Sequence, residues 1–223
     1  MQTYYIFYYT TQALAVLEGY NKPKTHPQVQ RTFLRLWSDK HWILSPWCIS
    51  YNEIGFHNLS PDVIVDDHVH SWKKVDDETA LNLFCKALRT TRDEFIEEAL
   101  IKRRQRLARK DQSKIVRLTQ QQKKQTHIRI RPTTLISYLY RLKRKTTYEQ
   151  SSMLAIGPVN DYQSADFRDS LNFIIESTLL ITEMITLKNV GENQFYSWCK
   201  EWEKYKAPAM SHIGPGSRLS IIR

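Results

Sequence analysis

Paired cysteines, glycine-rich loops and long apolar runs are all missing from this chain, and each absence excludes something. Its three cysteines, Cys48, Cys85 and Cys199, are odd in number, widely spaced and free of any CxxC pair. That leaves no basis for a disulfide framework or a zinc ribbon and fits a reducing cytosol. The six glycines of 223 residues form no phosphate-binding loop. A Ser nucleophile elbow, an HExxH pair, an internal repeat and a heptad series are also lacking, so most familiar enzyme classes lose their simplest support. The stretch from Met1 to Leu17 carries no charge and no small-residue cleavage site. It is shorter than the roughly 20 apolar residues of a membrane span. It reads as a buried helix, and the expected setting is cytoplasmic with no membrane partner.

What is present is a folding composition: 41% apolar residues, six Trp and twelve Tyr argue against disorder. The periodicity predicts a mainly α protein, a helical bundle over 1–223 as a single helical domain. Residues 4–17 are apolar on nearly all sides, as suits a central helix. Val29, Phe33, Leu34 and Trp37 recur at helical spacing after Pro27. Pro46, Gly55 and Pro61 mark 38–75 as an irregular, β-like insertion, with a hairpin expected near 63–70. Asp76 or Asp77 is expected to cap a long helix whose face is Leu81, Phe84, Leu88, Phe95 and Ala99. A helix over about 133–145 follows, then a long one from Ser164 or Asp166 to near Gly191 with Phe167, Leu171, Ile174, Ile175, Thr178, Ile181 and Ile185 inward. Trp198 and Trp202 continue the bundle, and 206–223 forms a loose tail.

Charge is distributed unevenly. Of 33 basic and 23 acidic residues, sixteen basic and one acidic (Asp111) fall between Lys102 and Lys145, so that segment is +15 and the remainder −5. Segregation of this kind focuses potential on one surface and points to a polyanionic partner, with nucleic acid as the leading reading and docking to an acidic protein as the alternative. The candidate contacts are Lys102, Arg103, Arg104, Arg106, Arg109, Lys110, Lys123, Lys124, Arg129, Arg131, Arg141, Lys143, Arg144 and Lys145. Lys and Arg at such density neutralise phosphates and release counterions, while His127, Tyr138 and Tyr140 could stack on exposed bases. Large apolar residues are sparse from 103 to 131, so 102–131 is expected to be a projecting basic arm, ordered by its partner.

Two further patterns carry potential chemistry. Arg35 and His41 stand six apart, and an imidazole moving protons beside a guanidinium that stabilises a phosphorane is enough for metal-independent RNA cleavage. Trp37 and Trp42 around the pair equally fit a structural turn. His57 and the Asp66, His68, His70 group could meet a divalent ion, but no second ligand cluster accompanies them, and neither a metal nor any other cofactor is expected.

Residues 8–33, with an aromatic Ala-Leu helix followed by Lys24-Thr25-His26 and Phe33, resemble the opening of HEPN-type helical domains, including the YaaC-like branch. Arg141-Leu-Lys-Arg-Lys-Thr-Thr-Tyr-Glu149 and the long helix after it are similar to their later half, while 38–130 matches poorly. The resemblance implies a HEPN-like bundle, a homodimer or a larger complex, in a defence or RNA-processing setting. It implies either an endoribonuclease or a non-catalytic RNA-binding module. Nuclease members carry a polar residue after the Arg, late in the domain; here Leu36 is apolar and the pair falls early.

Overall fold

The computed structural model describes residues 2–39, 45–59, 77–111, 117–145 and 161–205. It is mainly helical. Its chain order is α1 (Gln2–Leu17), α2 (His26–Phe33), a π-helical turn (Leu34–Ser38), β1 (Ser50–Tyr51), β2 (Phe56–His57), α3 (Asp77–Asp111), α4 (Gln120–Arg129), β3 (Thr133–Thr134), α5 (Leu135–Arg144), α6 (Asp161–Val190) and α7 (Glu192–Tyr205). Where the sequence reads as one domain, the chain divides into two compact units, Met1–Val29 with Lys145–Arg223, and Gln30–Arg144.

In the first unit α1 packs on α6 and α6 on α7. Tyr4, Phe7, Thr11, Leu14 and Ala15 are buried at the three- and four-residue spacing of one helix face. Tyr5, Tyr9 and Val16 are exposed on another, so α1 is half covered and not central. Gly19, at φ +77°, closes α1: the Tyr20 amide reaches the Ala15 carbonyl and the Gly19 amide that of Val16, the double bond of a Schellman motif. Thr25 and Gln28 then exchange side-chain to backbone bonds and start α2, while His26 Nδ1 meets the Tyr4 hydroxyl at 2.6 Å.

Helix α6 runs one turn further back than the sequence suggests and ends at Gly191, φ +82°, as expected. Thr178 and Ile185 are buried, with Glu183 beside them, while Leu171, Ile174, Ile175 and Ile181 are partly covered. Thr178, Thr182 and Thr186 each donate to the carbonyl four residues back. The span Arg168–Val190 is long and apolar enough, by length and composition alone, to cross a membrane. In α7 the buried residues are Phe195 and Cys199, packed by Leu180, Leu187 and Val190. The expected Trp pair does not lead: Trp198 is exposed and Trp202 half-buried, because the inward stripe is set three residues earlier.

The second unit centres on α3. A small sheet, ordered β2-β1-β3 and antiparallel throughout, pairs Tyr51 with both Phe56 and Thr133. Thr133 Oγ1 lies 3.2 Å from both the Tyr51 and Leu88 carbonyls, fastening sheet to helix. The hairpin β1–β2 lies earlier than the expected 63–70 stretch, which falls outside the described residues. Asn52 shapes its turn, accepting from the Ile54 and Gly55 amides. The buried spine of α3 is Asn82, Cys85, Leu88, Thr91 and Arg92, with Phe84 and Phe95 at its margins.

Helix α4 corrects the expectation of a projecting arm over 102–131, because it packs back on α3. Thr119 and Gln122 form a capping box, and the helix lies along α3. Polar as it is, α4 folds because its ends are satisfied locally. Thr119→Ala should cost about 1 kcal/mol of α4 stability, read as faster amide exchange confined to 120–129. Unchanged exchange there would mean that the cap contributes nothing.

Candidate nucleic-acid interface

Three helices of the second unit position the basic residues, and hydrogen bonds sort them into two groups. Arg103 Nη1 donates to the Gln122 carbonyl at 2.7 Å and to Thr126 Oγ1 at 3.0 Å, and its Nη2 reaches Gln125 Oε1. About three turns of α3 earlier, Arg92 donates to the carbonyls of Ile130, Arg131 and His127, each at 3.1 Å. Residue 92 thus meets 127–131 and residue 103 meets 122–126, so α4 runs antiparallel to α3 under two guanidinium clamps. Burial lowers the pKa of Arg92, and the nearby Glu53 carboxylate opposes that.

On the other flank Arg141 grips Glu94 through both carboxylate oxygens, its Nε at 2.6 Å from Oε2, and Arg144 holds Glu98 Oε1 at 2.6 Å. Helix α5 therefore lies parallel to α3. Arg103, Arg141 and Arg144, all expected to contact a ligand, are committed to the fold. Lys143 and Lys145 are half-buried at the end of α5 and interact within the protein.

The second group faces solvent. Arg104, Arg106, Arg109, Lys124 and Arg129 are exposed, as is Arg117, which sequence reading did not single out. None of these six has a carboxylate partner among the described residues. Lys123 is half-buried. Lys102, Arg106 and Arg109 share one face of α3 at spacings of four and three, with Lys102 3.8 Å from Glu98. Lys110 falls in the last turn of α3. Arg131 is exposed near Arg31, and its pKa is lowered first by partial burial and then by the Arg31 charge. Arg31 lies outside the basic segment, so a count along the chain could not have found it. Two guanidinium groups held within electrostatic reach form a locus that an anion would relieve.

Between the turn after β1, α3 and α4 lies a groove of about 420 Å³. Tyr51, Asn52 and Glu53 line one side, Arg92, Asp93, Ile96, Glu97 and Leu100 the helix side, and His127 the α4 side. Three sequence segments build it, and no local pattern announces it. His127 was anticipated as a base-stacking group; Tyr138 instead has its hydroxyl pKa raised by burial.

The remaining candidates separate. Arg35 is exposed in the π-helical turn, and His41 lies outside the described residues, so the pair has no described geometry. His57 Nε2 is hydrogen-bonded to Asn52 Nδ2 at 2.7 Å. Asp66, His68 and His70 lie outside the described residues, and among those described no cluster of His, Cys, Asp or Glu is placed to hold a metal. Burial pushes the Cys85 thiol up to about 11, against the charge of Arg89, and also raises Cys48 and Cys199. Thiols so shifted stay protonated at neutral pH and are poor nucleophiles. Compared with family models, with curated proteins and with solved structures, the chain has no significant match.

Proposed function

We propose that this protein binds nucleic acid, RNA or another single strand, through the exposed basic residues of α3 and α4. The observation that carries the reading is the division of the basic segment. After Arg103, Arg141 and Arg144 are spent on carbonyls and carboxylates, six exposed arginines and lysines still lack an acidic partner among the described residues. Unneutralised charge of this density repels itself, and a polyanion removes that cost while releasing counterions. The resemblance of 8–33 and 141–149 to HEPN-type domains favours RNA over DNA and a place in a defence or RNA-processing complex.

The test is fluorescence anisotropy with a labelled single-stranded RNA across a potassium chloride series. The triple variant Arg104→Gln, Arg106→Gln, Arg109→Gln should bind at least tenfold more weakly, with the slope of log K against log salt reduced by about two, or roughly 0.7 for each lost phosphate contact. Superimposable salt curves would remove the proposal. A matched control is Arg141→Gln, which should lower stability and leave the salt slope unchanged. Run with EDTA, the same samples would reveal cleavage; cleavage abolished by His41→Ala would make the protein a metal-independent ribonuclease.

A further inference from the structure

The groove beside the basic surface has a lining that phosphate binding does not use. Glu53, Asp93 and Glu97 give it three carboxylates against the one guanidinium of Arg92, which already donates to three backbone carbonyls. A phosphate is repelled from such a hollow. A free cation gains there, yet is opposed by the exposed, unneutralised arginines and lysines of α3 and α4. A neutral group that donates hydrogen bonds, and that is tethered to anions held outside, suffers neither penalty. A nucleobase is such a group.

The rest of the lining agrees. Two residues with rings line it from different elements, Tyr51 of β1, whose ring packs on Phe56 at 4.6 Å, and His127 of α4, and Ile96 and Leu100 stand one turn apart on α3. Base faces stack on aromatic rings and pack on aliphatic side chains, and unpaired bases are read by hydrogen bonds to their Watson–Crick edge. At about 420 Å³ the groove falls within the ordinary range of small-molecule sites and has room for a purine.

We infer that this groove seats one unpaired base of the strand bound by the basic surface, with guanine preferred; the inference rests on the proposed function. Guanine alone among the four bases offers N1–H and N2–H side by side, the match of a carboxylate's two acceptor oxygens. Glu97 is the carboxylate assigned to that edge. All three carboxylates are exposed and have no ion pair among the described residues, but Glu53 and Asp93 lie within electrostatic reach of Arg92, which leaves Glu97 as the one whose charge that guanidinium does not engage.

The experiment compares wild-type affinity for uridine 12-mers carrying one central guanosine, inosine, adenosine or cytidine, and for the all-uridine strand. Guanosine should bind about tenfold tighter than all-uridine, as one bidentate base contact provides, and inosine, lacking the N2 amino group, should fall between. Glu97→Gln, of the same shape, should bring the guanosine strand to the all-uridine level. Strands bound with equal affinity would overturn the base site and leave the basic surface standing, and absence of binding to every strand would remove both. A guanosine preference that survives in Glu97→Gln, Glu53→Gln and Asp93→Asn would place it elsewhere and overturn the assignment. Spermidine binding lost in Glu97→Gln, without any base preference, would identify an organic cation instead and also overturn it.

Discussion

Trp37→Ala is expected to destabilise the unit spanning Gln30–Arg144 by about 4 kcal/mol, the cost of emptying a large aromatic site. The indole is 0% exposed and stacks on Phe33 with centroids 5.4 Å apart and planes 10° from parallel. Its position depends on the π-helical turn. Leu36, Trp37 and Ser38 are buried in succession, more of the circumference than one face of a regular helix presents to a core. The wider turn, closed by the Asp39 amide on the Leu34 carbonyl at 2.9 Å, brings all three inward. Urea unfolding followed by circular dichroism measures the loss. Trp37→Phe, which keeps a ring on Phe33, should lose less than half as much. An alanine variant within 1 kcal/mol of wild type would show that the surroundings collapse onto the gap.

Arg92→Met should destabilise the same unit by about 3 kcal/mol, since hydrogen bonds to charged groups each count for more than neutral ones and their loss leaves acceptors without donors. The side chain is 3% exposed and donates to the last carbonyls of α4 and its exit. Methionine keeps the volume and removes the fork. Hydrogen exchange should quicken over 120–131 first and most, with Leu135–Arg144 less affected because Arg141 and Arg144 hold it separately. Arg92→Lys should not rescue, because one ammonium cannot reach three carbonyls in the geometry of a planar guanidinium. Unaltered exchange over α4 in the methionine variant would show that the clamp is dispensable.

Periodicity and end signals made most helices legible. Gly191 stops α6 where expected, Gly19 closes α1 just past the apolar run of 4–17, and Pro27 sits in the first turn of α2. The capping box at Thr119 and Gln122 is a local pattern that the reading of an arm, made from the Gln- and Lys-rich composition alone, did not take in. Charge counting located the basic surface and misjudged its membership. Arg141 and Glu94 are 47 residues apart in sequence, and Arg144 and Glu98 46, so a tally along the chain counts as free what the fold has neutralised. Arg31 fails in the opposite sense: it is isolated in sequence and meets Arg131 only after folding. The groove was illegible for the same reason, since residues 51–53, 92–100 and 127 share no window in which a pattern could appear.

The way α4 is fastened has a thermodynamic consequence. Its only buried side chain is Thr126, and its attachment to α3 runs through the guanidinium groups of Arg92 and Arg103. Heat-capacity change and denaturant sensitivity both scale with the surface a transition uncovers. Detaching α4 uncovers little apolar surface, so that opening is nearly athermal in heat capacity and has a shallow response to urea. Cooling, which weakens a hydrophobic contact, leaves this one in place.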